Sequence, residues 1–249
     1  MTQLKERHFV LFRILSTHCS FLTRRQIESI WSLPTNTTNK ELSWLRSRRY
    51  LRRRNRGDTF HHFQTPIHYL GEFGWQAIGK RAGEYRKYRS QVETRAERTL
   101  EHSLMIHDVF LKFILETTVR RIIKSEDAFW NEVIDLGVIP DGWIQFPGGE
   151  VFLEVDRGSE SPIVVQKKLE KYEAFRKSGR YDATFPGCTF KILFFTTSDA
   201  RIESLQRIKK SDDIWYCVLN EFVREPLTHQ HWFALYGFYY LSDLTKKVL

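Results

Sequence analysis

Apolar positions recur at helical spacing in the first part of this chain and at both helical and strand spacing in the rest. Over 8–16, Phe9, Leu11, Phe12 and Leu15 fall on one helical face. Thr23-Arg24-Arg25-Gln26 has the form of a capping box, in which the first and fourth side chains satisfy each other's backbone N–H. It predicts a second helix through Trp31, with Ile27 and Ile30 inward and Pro34 ending it. Thr38-Asn39-Lys40-Glu41 repeats the pattern and predicts a third helix from there through Arg49, burying Leu42 and Leu45. Three short helices with tight connections match a helix-turn-helix unit. Residues 50–63 then read as strand, turn at Gly57-Asp58, and strand, a basic hairpin wing in which His61 and His62, like His68 beyond it, are surface or core residues. Tyr69-Leu70-Gly71-Glu72-Phe73-Gly74 starts a closing element.

Residues 80–98 are charged and show little apolar face, so they read as a helical linker that either extends a phosphate track or serves a dimer contact. A long helix over roughly 99–124 carries Leu100, Leu104, Leu111, Leu115, Thr118 and Ile122 on one stripe, with His107 as a core histidine. Strands are expected near 128–134, 142–146, 151–156, 190–196 and 214–218, and helices over 162–177 and near 199–209. The expected fold class is α/β (α+β overall), with a winged helix-turn-helix at 1–79, the linker at 80–98 and an α/β domain at 99–249.

Charge sharpens this division. Residues 1–100 hold 20 Lys and Arg against 8 Asp and Glu, whereas the remainder holds 19 against 22. A basic first part joined to a slightly acidic second part points to a polyanion-binding module fused to something else. Seven of the eleven residues from 46 to 56 are arginine: Arg46, Arg48, Arg49, Arg52, Arg53, Arg54 and Arg56. Arginine forks suit phosphate oxygens, and base contacts are expected early in the third helix, around Asn36, Thr37, Asn39 and Lys40. The expected partner is double-stranded DNA, RNA being the alternative. The three cysteines are far apart and lack metal-ligand spacing, no apolar run approaches a membrane span, and a cytoplasmic location is expected.

The candidate chemistry lies in the second part. If 151–156 is a strand, Phe152, Glu154 and Asp156 share a face, and the two carboxylates sit about 6.6 Å apart. Ionised carboxylates among apolar neighbours require a counter-charge, and a hard divalent cation supplies one. Asp141 and Glu154 are the expected Mg²⁺ or Mn²⁺ ligands, with Asp156 as a third or outer ligand. Glu101 and Asp108 are weaker candidates for a further carboxylate. On the helix over 162–177, Val164, Val165, Leu169, Tyr172 and Phe175 form an apolar stripe with Lys168 near its middle. Such a lysine either orients an attacking water and neutralises charge on phosphate or simply pairs with Glu154.

The order helix-β-β-β-helix-β-helix-β, with acids on the second and third strands, is the core layout of PD-(D/E)XK nucleases. The chain resembles the replication-relaxation family of mobile-element proteins, which pair a winged helix with a nuclease-like domain. The resemblance rests on Glu101-His102-Ser103-Leu104 to Asp108-Val109, Pro140-Asp141-Gly142, and Phe152-Leu153-Glu154-Val155-Asp156-Arg157-Gly158. Lys168-Leu169 with Tyr172, and Leu193-Phe194-Phe195-Thr196-Thr197 with Arg201, complete it. It implies DNA binding in replication or regulation of a plasmid, phage or similar element. Asp156 stands where active PD-(D/E)XK enzymes carry a lysine. Either Lys168 replaces that lysine from the helix, making Asp141, Glu154 and Lys168 the catalytic set of an endonuclease, or the domain is a retired nuclease kept for its fold.

Overall fold

A computed structural model describes residues 3–55, 65–116, 121–124, 139–146, 149–158, 160–184, 190–208, 213–225, 232–234 and 237–239. The chain divides into two compact units, Met1–Leu111 and Lys112–Leu249.

The first unit opens with helix α1 (Glu6–Thr17), strand β1 (Leu22–Thr23), helix α2 (Arg24–Trp31) and helix α3 (Thr35–Ser47). At the start of α2 the capping box forms as expected: Thr23 Oγ1 accepts from the Gln26 N–H, and Gln26 Oε1 accepts from the Thr23 N–H. Helix α3 begins three residues before the expected Thr38. Pro34, in extended backbone, is its N-cap, and Thr38 is buried inside its first turns. Glu41 does not turn back to cap the helix, because Lys5, Arg7 and His8 take its carboxylate.

Strands β2 (Leu51–Arg54) and β3 (Ile67–Leu70) pair antiparallel, Leu51 opposite Leu70 and Arg54 opposite Ile67, and β1 adds to the far side of β3. The described part of the returning strand is 67–70; residues 56–64, with Arg56, His61, His62 and the strand expected after Gly57-Asp58, lie outside the described residues. Helix α4 (Glu72–Ala77) starts where the backbone passes tightly under the end of α3. A side chain at Gly71 would collide with the Arg49 carbonyl oxygen, and one at Gly74 with that of Tyr50. Helix α5 (Ala82–Thr94) falls within the expected helical linker over 80–98. Its Tyr85, Tyr88 and Val92 are buried, and the Tyr88 hydroxyl donates to the Ser20 carbonyl and accepts from the Leu70 N–H.

Helix α6 (Glu97–Glu116) contains the division between the units. It ends before the expected 124, because Arg121–Lys124 is strand β4, paired antiparallel with β5 (Gly142–Phe146). The β-branched Ile122-Ile123 pair suits an edge strand, although its spacing also continues the helical stripe. The strand expected near 128–134 lies outside the described residues.

Strand β6 (Gly149–Val155) pairs antiparallel with β5 and parallel with β7 (Phe190–Thr196), which pairs parallel with β8 (Ile214–Val218). Among the described residues, β9 (Trp232–Ala234) and β10 (Gly237–Tyr239) complete the sheet order β10-β9-β8-β7-β6-β5-β4. Helices α7 (Pro162–Lys177), α8 (Arg180–Thr184) and α9 (Asp199–Ile208) follow β6 and β7, and α10 (Leu219–Arg224) follows β8. Strands β7 and β8 are almost wholly buried, as near-continuous apolar strands in the parallel part of a sheet should be. Phe152, Leu169, Phe175, Tyr181, Phe190 and Phe194 form the heart of one core, and Phe195 meets Phe222 of α10, ring centroids 4.8 Å apart. Val165, Leu169, Tyr172 and Phe175 are buried as expected, but Val164 points outward at the first turn of α7. Cys19 and Cys217 are buried, and Cys188 lies outside the described residues. Among the described residues no helix is long and apolar enough to cross a membrane.

Candidate nucleic-acid face and carboxylate network

Helix α3 and strand β2 carry the arginine-rich run of the first unit. Asn39 and Lys40 are exposed on α3, as base-contacting positions would need to be. The arginines, alike in sequence, are not alike in structure. Arg54 forks to the Val92 carbonyl at 2.7 Å and the Arg95 carbonyl at 2.9 Å, satisfying acceptors at the C-terminal end of α5. Arg49, in left-handed backbone at φ 59°, bonds Glu72 at 3.2 Å and lies over the Phe73 ring at 5.1 Å. Arg52 stands near the Glu93 carboxylate, which also accepts from Tyr69 and Arg89. Arg46, Arg48 and Arg53 have no carboxylate within ion-pair distance among the described residues. Burial, and then Arg53, lower the pKa of Arg46, so these two guanidinium groups act on each other. Among the described residues the expected cluster therefore separates into arginines that hold the fold and arginines without a carboxylate partner.

In the second unit the register brings the predicted acids together. Gly142 opposes Leu153, so extending the β5–β6 pairing by one residue sets Asp141 opposite Glu154. Asp141 also uses its Oδ2 to accept the Val155 N–H at 2.8 Å. Glu154 is 0% exposed. Its Oε2 accepts from Lys168 Nζ at 2.8 Å and its Oε1 from the Tyr172 hydroxyl at 2.6 Å. One helical turn separates Lys168 from Tyr172, which is why both reach the same carboxylate. Burial, then the nearby Asp141 charge, push Glu154 up to about 7, against the opposing pull of Lys168 and Tyr172. Burial works against the Lys168 ammonium too, but Glu154 outweighs it and holds that proton firmly.

Asp156 belongs to a different set of contacts. Its Oδ1 accepts the Gly158 N–H at 2.8 Å and its Oδ2 accepts Arg201 Nε at 2.5 Å. Arg201 also donates to the Glu160 carbonyl at 2.7 Å. A third buried acid, Glu150, accepts from Trp143, Gln145 and Tyr181. Asp108, considered as a further carboxylate, is instead bonded by Gln26 at 2.8 Å in the first unit.

A divalent cation takes carboxylate oxygens as ligands, and hydrogen bonds to those oxygens compete with it. Both oxygens of Glu154 and both of Asp156 already accept hydrogen bonds, and among the described residues no group of three or more His, Cys, Asp or Glu side chains could hold a metal ion. Sequence reasoning placed Lys168 beside Glu154 but put Tyr172 among core residues and did not include Arg201 in the site. The signals were present in the turn spacing from Lys168 and in the need of Asp156 for a counter-charge.

The replication-relaxation family model matches residues 12–187, which takes in most of the first unit and the strands and helix that carry Asp141, Glu154, Asp156 and Lys168. Arg201 lies beyond the matched segment. No curated protein and no solved structure matches the chain.

Proposed function

The chain belongs to the replication-relaxation family, and on that premise we propose that it is a duplex-DNA-binding protein of a mobile element, acting in replication or its regulation without cutting DNA. The observation that carries this reading is the guanidinium charge of Arg46, Arg48 and Arg53, without a carboxylate partner among the described residues, beside exposed Asn39 and Lys40. Three helices and a three-stranded antiparallel sheet support a winged helix-turn-helix, with α3 as the helix that enters the major groove and the β2–β3 hairpin as the wing. Phosphate contacts by the arginines give affinity, and α3 gives the preference among sequences.

In this reading the second unit is a nuclease-like domain kept for its fold. Glu154, Lys168 and Tyr172 tie β6 to α7, and Asp156 with Arg201 ties the end of β6 to α9. The second reading, a Mg- or Mn-dependent endonuclease using Asp141, Glu154 and Lys168, draws on the closeness of Asp141 to a Glu154 whose proton affinity is raised. It requires Lys168 and Tyr172 to release Glu154 first. Incubation with supercoiled DNA and Mn²⁺ separates the two: the accessory reading expects duplex binding and no nicking, and nicking that Asp141→Ala abolishes would overturn it. Duplex DNA, single-stranded DNA and RNA compared at one salt concentration test the choice of nucleic acid.

A further inference from the structure

His68 is a neighbour of the charged patch that the DNA-binding reading leaves without a task. It lies on β3 directly opposite Arg53 on β2, so the two side chains share a face of the sheet with Cβ atoms about 5 Å apart. That is also the face of Leu51 and Leu70, the buried residues of the same strands. The ring is 4% exposed, yet its Nδ1 is buried without any hydrogen-bond partner. Buried polar atoms are normally paired, and this one has no partner in the free protein. Three charged groups act on the ring, Arg46 from α3, Arg53 from β2 and Arg24 from α2, while β1 offers it only Leu22. Arg24 is balanced by Glu28 at 3.0 Å; Arg46 and Arg53 have no such balance among the described residues.

We propose that Arg46, Arg53 and His68 form one site for a backbone phosphate of DNA, and that binding the phosphate draws a proton onto His68. This rests on the DNA-binding reading and adds to it a defined contact and a pH response. A phosphodiester brings one negative charge, which offsets the mutual repulsion of the two guanidinium groups and accepts their hydrogen bonds. The same charge offsets the arginine repulsion, which after burial is what keeps His68 neutral. In the free protein, burial and then Arg46, Arg53 and Arg24 hold the imidazole pKa down to about 4. A group whose pKa rises on binding takes up a proton, so affinity increases as pH falls towards the bound-state value.

The test is fluorescence anisotropy of a labelled duplex with the full chain, titrated with salt at pH 5.5 and pH 7.5. The wild type is expected to bind about threefold or more tightly at the lower pH. Arg46→Gln and Arg53→Gln should each lower the slope of log affinity against log salt by about one unit. Both should also remove the pH response, as should His68→Gln. Arg53 is exposed, so its variant keeps the test informative if the His68 variant does not fold. If the wild type binds duplex but Arg46→Gln and Arg53→Gln keep its salt slope, or if its affinity does not change with pH, this site is wrong and the DNA-binding reading stands. If the wild type does not bind duplex at low salt, both fall.

Discussion

Lys168→Met is the substitution whose effect the carboxylate network constrains most closely. Glu154 is fully buried, and Lys168 Nζ lies 2.8 Å from it with its side chain 21% exposed. Removing one partner of a buried pair costs about 3–5 kcal/mol when the other must stay charged. Glu154 need not stay charged, because its pKa already stands near 7 against an ordinary 4.5. The folded protein therefore holds a proton that the unfolded chain has released, and this contribution to stability declines as pH rises from about 4.5 to about 7. Loss of Lys168 raises that pKa further and extends the decline upward. At pH 5 the variant's Glu154 is protonated and the loss is one hydrogen bond and some packing, about 1 kcal/mol. At pH 8 it approaches about 3 kcal/mol, which corresponds to roughly 6–12 °C in melting temperature for a protein of this size. Circular dichroism melts at the two pH values measure the difference. The double variant Lys168→Met with Glu154→Gln should recover to within about 1 kcal/mol of wild type at both, since it leaves no charge to strand. An equal loss at pH 5 and pH 8, or no recovery in the double variant, would refute the reasoning.

Two further outcomes follow from the same contacts in the first unit. Arg54→Ala should destabilise this unit by about 1–3 kcal/mol in urea unfolding, because it orphans the Val92 and Arg95 carbonyls. Burial pushes Glu41 upward, but hydrogen bonds from Lys5, Arg7 and His8 outweigh it and draw the carboxyl down to about 2. Its contribution to stability is present above the ordinary value of 4.5 and lost as pH falls towards 2, so Glu41→Gln should flatten the acid limb of the stability profile and cost about 1–2 kcal/mol at neutral pH.

The second unit was the more legible in the sequence. The helix over Pro162–Lys177 and the strands Phe190–Thr196 and Ile214–Val218 match their expected bounds, because a Ser161 cap with Pro162 after it and unbroken β-branched and aromatic runs leave little choice. Pairing of Lys168 with Glu154 followed from the same periodicity. The misplacements have local causes. The apparent capping box at Thr38 is mimicry, since Pro34 had already set the helix start and Glu41 was needed by three cations from the N-terminal segment. The apolar stripe of α5 is only Tyr85, Tyr88 and Val92, hidden among charges, so composition suggested a helical linker, and the helix is there with that stripe buried. Charge counting cannot separate Arg54, a fold contact, from Arg53, an unbalanced one; that depends on which carbonyls and carboxylates lie across the strand.

The account depends most on duplex DNA binding by the first unit, and equilibrium titration of the full chain with a fluorescent duplex over a range of salt measures it directly. With Arg46, Arg48 and Arg53 each meeting a phosphate, log affinity should fall linearly with log salt at a slope of about −3 or steeper. Absence of binding at the lowest salt, or an affinity that salt leaves unchanged, would contradict it.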